Sequence, residues 1–250
     1  MATPVCSVAL RQPDGTIMEE RAEGKGVHSE STFVFIRKLL DRAKTDVADL
    51  GAVVLSGGPG SYTGLRVGGS AVKGLLFQLD VPLFTYNTLA GIAMGYVSAE
   101  NRGGSGDRHG ADGPEQVVAD GSRSIVVDAV IDARRNHLYH QAWRFGFEQG
   151  GKAPVRMEPE EEVAIRELKE LLKRWRSGRT FAGTGTGRLS ALAGTHDLDT
   201  EGLVPFSGTG TVSAAAVFGC LEVETEPEAW RRVIRKADPA TFEPEYYTGI

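Results

Sequence analysis

Cysteine is nearly absent from this chain: Cys6 and Cys220 lie at opposite ends, which provides neither a disulfide framework nor the paired spacing of a zinc site. A reducing compartment is the expectation. Long apolar runs are missing too, because charges such as Asp80 interrupt each one before it reaches the roughly 20 residues of a membrane span. The start, Met1-Ala2-Thr3-Pro4, has no basic region ahead of an apolar stretch, so a cytoplasmic protein with no membrane contact is expected. A net positive charge is missing as well. A formal net charge of −5 argues against this chain alone gripping a polyanion, so any nucleic acid would be held mainly by another subunit.

Catalytic signatures are also lacking. Lys73 is flanked by Val72 and Gly74 and not followed by Ser or Thr, which excludes a P-loop. Ser61 has Pro59 and Thr63 two residues away on either side, which excludes a nucleophile elbow. His137 and His140 are spaced to point to opposite faces of a strand, and no His-Glu-x-x-His element accompanies them, so no metal is expected.

What is present is a strand, a glycine turn and a helix. An apolar run, 52–55, leads through glycines 57, 58, 60 and 64 into a helix expected over 63–79, with Ser61 or Thr63 as its cap. Two readings stand for this turn: an anion cradle at a helix N-terminus, or a bend whose glycines permit close packing of neighbouring backbone. At 250 residues, with 41% hydrophobic and 24% charged, the chain can bury one large core or two smaller ones.

Around that turn the periodicities fall into place. Strands over 5–10 and 16–22 flank Gln12-Pro13-Asp14-Gly15, the signature of a hairpin. Residues 29–43 follow a helical period, with Phe33, Ile36, Leu40 and Ala43 on one apolar face, Leu39 beside them and Phe35 off the stripe as a second contact surface. A strand over 81–85 and a short helix over 88–97 come next. Residues 98–122 read as a flexible insert, because 101–113 hold five glycines and no apolar side chain larger than alanine. Strands over 124–132 and 137–145 open a second lobe, followed by a helix over 163–175. Gly183-Thr184-Gly185-Thr186-Gly187 and Gly208-Thr209-Gly210-Thr211 read as plain turns or phosphate loops, one or two helices are expected over 213–236, and the tail is expected to be extended.

The run Gly58-Pro59-Gly60-Ser61-Tyr62-Thr63-Gly64-Leu65-Arg66-Val67-Gly68 resembles the hallmark of the bacterial TsaB (YeaZ) family, which takes part in making threonylcarbamoyladenosine in tRNA. Further matches follow in family order: Val81-Pro82-Leu83, Asn87-Thr88-Leu89-Ala90, then Val130 through Arg135 before Leu138-Tyr139, and last Phe242-Glu243-Pro244-Glu245-Tyr246.

The resemblance implies an α/β, two-lobed, duplicated ribonuclease-H-like fold of the actin and heat-shock chaperone ATPase type. It divides the chain into a first lobe (1–98), the insert (99–122), a second lobe (123–210) and C-terminal helices with a tail returning to the first lobe (211–250). It also puts a strand ending in an acidic residue ahead of Thr3-Pro4-Val5, so the first lobe is expected to lack its central strand. Active members of that fold grip ATP with glycine-containing turns at the start of each lobe, whereas this chain has Pro4, which has no N–H, and Asp132-Ala133-Arg134 in those positions.

The implied role is therefore a non-catalytic scaffold that binds no cofactor alone. It would support the ATP-using subunit TsaD, with TsaE in the same complex, tRNA held mainly through the partner and a homodimer as another pairing. The expected partner surface joins Phe33, Phe35, Ile36 and Leu40 of one helix to Gly68, Ala71, Val72 and Leu75 of the next. Gly58, Pro59, Gly60, Ser61, Thr63, Gly64 and Arg66 mark the motif turn, and Asp132 with Arg134 its counterpart in the second lobe. The alternative is an independent enzyme, either an ATP-dependent kinase-like protein or a glycoprotease-like peptidase.

Overall fold

Asp14 and Gly15 reverse the chain between β1 (Val5–Arg11) and β2 (Ile17–Glu23), which pair antiparallel. The Asp14 carboxylate accepts the Thr16 N–H at 2.8 Å, and Gly15 takes the φ of 87° that the reversal requires. In this computed structural model, residues 2–24, 27–102, 116–117, 122–175, 179–195, 212–223 and 227–247 are described.

Helix α1 (Val27–Ala43) packs on the hairpin. Its rotation differs from the expected one. Thr32 and Leu39 are buried, Phe35, Ile36 and Leu40 are half-buried, and Phe33 and Val34 are 52% and 61% exposed. The sequence stripe treated threonine as polar, but Thr32 reaches the Cys6 sulfur at 3.5 Å, and that contact turns Phe33 outward.

A 3-10 turn (Val47–Asp49) leads into β3 (Val53–Gly58), α2 (Tyr62–Leu75), β4 (Leu83–Asn87) and α3 (Thr88–Arg102). β3 and β4 are parallel, with α2 as the crossover. Val72 and Leu76 seal against Val81 and Leu83 beneath. α3 runs five residues beyond the helix expected from the sequence, into the first part of the insert, and is buried on all sides from Leu89 to Val97, as an all-apolar helix between two layers must be.

In the second lobe β6 (Arg123–Asp132) is central. It pairs antiparallel with β7 (His137–Phe147) on one side and parallel with β10 (Thr180–Ala182) on the other, and short β5 (Gln116–Val117) adds to one end. β8 (Arg156–Pro159) and β9 (Ala164–Glu167) both pair with β7. The helix expected over 163–175 is thus half strand: only α4 (Leu168–Trp175) is helical, because the outer edge of β7 between His137 and His140 recruits β9. α5 (Thr186–Gly194) and α6 (Ala216–Glu222) follow, with α6 lying against α3.

The last helix, α7 (Pro227–Val233), is shorter than expected. Ile234–Ala237 form β11 instead, antiparallel to β4, so the chain closes on the sheet of the first lobe. Of the insert, 98–102 belong to α3 and 116–117 to β5, and most of the remainder lies outside the described residues, as does the turn 208–211.

The first lobe holds two separate sheets, β1–β2 and β11–β4–β3. Among the described residues no strand pairs with the second edge of β1 or of β3. Together the two lobes form an α/β, ribonuclease-H-like fold.

Candidate functional site

The glycine turn after β3 is a packing junction. Ser61 caps α2, its hydroxyl accepting the Gly64 N–H at 3.3 Å, and the Ser61 N–H donates to the Ala2 carbonyl at 2.7 Å. A Cβ on Gly60 would lie 2.3 Å from that same carbonyl. Gly58, at φ 126°, would place one 2.7 Å from the Glu245 carbonyl, while the Glu245 N–H donates to the Gly57 carbonyl at 2.9 Å. The Gly58–Pro59 bond is cis. Of the two readings of this turn, close packing is the one the geometry carries: the backbone of Ala2 and of Glu245 abuts its glycines.

The tail motif meets the turn motif at the surface. Arg66 stacks 4.4 Å over the Tyr62 ring and its Nε donates to the Tyr246 hydroxyl at 3.2 Å, with the two rings 4.9 Å apart. Phe242 lies under Gly69, where a Cβ would come within 3.1 Å of the ring. Thr63 is exposed and Gly64 buried.

The counterpart turn in the second lobe is filled as well. The Asp132 carboxylate accepts the Arg134 N–H at 2.8 Å and pairs with the Arg188 guanidinium at 2.6 Å. The ion pair therefore runs to Arg188, while Arg134 contributes its backbone at φ 71°. Gly183 abuts β6 in the same manner as Gly60 abuts Ala2: a Cβ there would lie only 2.3 Å from the Val130 carbonyl.

Between the lobes, Asn87 ends β4 and caps α3: its Oδ1 accepts the Leu89 N–H at 2.9 Å and its Nδ2 donates to Gln141 Oε1 at 2.8 Å. A small hollow of about 40 Å³ opens beside this bridge, bordered by Gly57, Gly58, Arg231, Arg232 and Glu245.

A buried polar cluster went unseen in the sequence. Asp128 and His140 are both fully buried and joined at 2.6 Å, and Glu161 lies beside them. Arg166 Nε donates to His140 Nδ1 at 3.2 Å, so Nδ1 accepts and Nε2–H donates to Asp128. Ligand atoms of Asp128, His140 and Glu161 lie within 4.8 Å of one another, close enough to share a metal ion. Guanidinium groups already supply the positive charge, however: Arg179 meets Asp128 at 2.7 Å, Arg174 meets Glu161 at 2.6 Å, and Arg166 also pairs with Glu161. Burial pushes the Asp128 carboxyl up, but hydrogen bonds from His140 and Arg179 outweigh it and hold it below the ordinary carboxylate range. Glu161 is likewise lowered, burial being overcome by its hydrogen bond from Arg174 and the neighbouring charges. The cluster thus stores a neutralised charge network inside the second lobe. Cys220, deep in the core, is inert, its thiol pushed up to about 12 by burial.

The surface between α1 and α2 is different in kind. A hollow of about 450 Å³ lies between Thr32 and Phe33 on one helix and Tyr62, Arg66, Val67 and Ala71 on the other. Of the residues expected there, Phe33 is exposed, Phe35, Ile36, Leu40 and Leu75 are half-buried, and Gly68, Ala71 and Val72 are interior. The outward stripe of α2 runs through Tyr62, Arg66, Ser70 and Gly74 towards Phe77, itself 72% exposed. Sequence reasoning passed over Tyr62, Phe77 and Val34; Phe77 fell inside the helix expected over 63–79, but α2 ends at Leu75 and leaves it exposed.

Residues 17–105, which carry this turn and both helices, match the family model described as TsaD: tRNA N6-adenosine threonylcarbamoyltransferase. The tRNA threonylcarbamoyladenosine biosynthesis protein TsaB of Escherichia coli (strain K12) is 32% identical over 94 residues, 38% of this chain and 40% of that protein. That of Bacillus subtilis (strain 168) is 26% identical over 166 residues, 66% of this chain and 60% of that protein. The matched stretch therefore spans about two fifths to three fifths of the curated relatives' length. YeaZ from Pseudomonas aeruginosa superposes with a TM-score of 0.66 at 21% identity, covering 98% of this chain and 96% of that one, a likeness of fold. The chain is thus similar to TsaB proteins in sequence and to YeaZ in fold.

Proposed function

We propose that this chain acts in the biosynthesis of threonylcarbamoyladenosine in tRNA as a non-catalytic subunit that supports a TsaD-type transferase. The observation that carries the reading is that the glycine turn after β3 and the Asp132 turn of the second lobe are both filled from within, while Pro4 lacks an N–H at the other position where this fold would grip a nucleotide. The Ala2 and Glu245 carbonyls fill the space around Gly60 and Gly58, and the Asp132 carboxylate holds its own turn's N–H and the Arg188 guanidinium. A carboxylate where a phosphate would bind repels it. ATP is then used by the partner, with TsaE in the same assembly.

The hollow between α1 and α2 supports this reading as the docking face. It combines the exposed Phe33 and Tyr62 rings with Arg66, the residue types that anchor interfaces. A second copy of the chain on that face is the competing occupant. The test is reconstitution. The chain is mixed with a TsaD-type transferase, TsaE, tRNA transcript, ATP and threonylcarbamoyl donor. The expected outcome is modified adenosine only when the chain is present, no ATP turnover by the chain alone, and loss of the complex without loss of melting temperature in Phe33→Glu and Tyr62→Glu. ATP hydrolysis by the chain alone, or full modification without it, would overturn the proposal.

A further inference from the structure

Four cations stand within six residues at the end of α7 and along β11: Arg231, Arg232, Arg235 and Lys236, all exposed. In a chain of net charge −5 this is a local reversal of sign. The ridge they form separates two hollows, the small interlobe one of about 40 Å³ and an open one of about 560 Å³ that also takes in Phe84 and Trp230. Arg232 is paired with Glu162 at 3.0 Å, and Arg235 with Glu245. Among the described residues Arg231 and Lys236 have no carboxylate partner. Arg235 Nε also donates to the Arg231 carbonyl at 2.8 Å, which fixes these two neighbours on the helix-to-strand corner.

We infer that this ridge is a contact for the phosphate backbone of RNA. The inference rests on the tRNA reading above and adds a surface to it. An open ridge flanked by two shallow hollows suits a strand that passes across it better than a small molecule that must be enclosed. Guanidinium forks fit phosphate oxygens in pairs, and unpaired cations are available to them at no internal cost. Trp230, half-buried against the core, borders the same hollow, so an aromatic side chain lies beside the cations. The number of cations is small, so the contact is auxiliary to a stronger site on the partner.

The test uses the complex with a TsaD-type transferase and an unmodified tRNA transcript titrated at several salt concentrations. The Arg231→Ala and Lys236→Ala changes are combined because neither side chain holds the fold together. The expected result is about ten-fold weaker tRNA binding at low salt and a slope of log affinity against log salt shallower by about 1 for each cation removed, with assembly and melting temperature unchanged. Arg231→Glu with Lys236→Glu is expected to act more strongly in the same direction. Unchanged affinity and slope in an assembled complex would overturn the inference, as would loss of the transferase in place of RNA, which would make the ridge a protein interface. Faster aggregation with unaltered RNA binding would also overturn it, leaving the charges as guards of the β11 edge. If the wild-type chain fails to assemble with a transferase, the functional reading fails instead, and the same salt titration on the chain alone decides the ridge.

Discussion

The two lobes share a plan but differ at their centres. In the second, β6 is covered on both edges, by β7 and β10, and its residues Val127 to Ile131 are all buried. In the first, β1 and β3 each have one partner, and Val53 to Ser56 of β3 are only half-buried. A central strand lets a sheet bury its middle, and an interior that dry can hold a fully buried charge only with counter-charges built around it. Asp128 on β6, with His140, Arg174 and Arg179, is that arrangement, and the described first lobe offers no strand where it could be repeated.

Breaking the network tests the contrast most severely. Asp128→Ala leaves the fully buried His140 without its acceptor and Arg179 with Glu160 alone, and is expected to cost about 3–5 kcal/mol, read as a large fall in chemical-denaturation midpoint. Loss of a surface pair in the first lobe, such as Lys38 with Glu20, is expected to move that midpoint little. A small change for Asp128→Ala would mean that the network adds nothing to the second lobe.

The first lobe is expected to be most sensitive at its turn. Gly60→Ala forces a Cβ against the Ala2 carbonyl and breaks the Ser61–Ala2 hydrogen bond, an expected loss of about 2 kcal/mol. Gly187→Ala, near the start of α5 with open space around it, is the matched control, expected to be neutral or to stabilise by up to about 1 kcal/mol. Thermal melts of the two variants separate a packing glycine from an incidental one.

The smallest effect is on acid tolerance. Asp128 and Glu161 have folded-state values below their ordinary 3.8 and 4.5, so the unfolded chain takes up protons first as pH falls. Their stabilisation is complete above those ordinary values and is lost below about pH 4 as the folded-state values are passed. Wild-type melting temperature is expected to drop over that range more steeply than that of Asp128→Asn, and parallel curves would remove Asp128 from the acid limb.

Much of the fold was readable from residues alone, where local chemistry decides. The Asp14-Gly15 hairpin, the Ser61 cap and the parallel β3–α2–β4 unit follow from turn residues and periodicity. The misread segments were those settled by distant neighbours: Ala164–Glu167 is a strand because β7 has an open edge, and Ile234–Ala237 because β4 does. The Asp128 cluster was hidden because the histidine argument compared positions on one strand only, while His140 finds its carboxylates on β6 and in the segment before β9. One signal was available: Asp128 interrupts the apolar run from Ile125 to Ile131, and a charge there must be answered. Glycines 57 to 60 could not be assigned either, since only the fold reveals that Ala2 and Glu245 come to them.

α3 has a mechanical consequence. Its sides touch β3 and β4 of one lobe and β6, β7 and β10 of the other, and its first turn is pinned by Asn87, whose amide also grips Gln141. A clamshell that opens and shuts around a substrate needs a hinge that few contacts oppose. Here any rotation of one lobe would pull Leu89, Ile92 and Met94 out of a shared core and break the Asn87–Gln141 and Arg232–Glu162 ties across the mouth. The axle is welded to both wheels, and the chain is a single stiff body in place of a moving jaw.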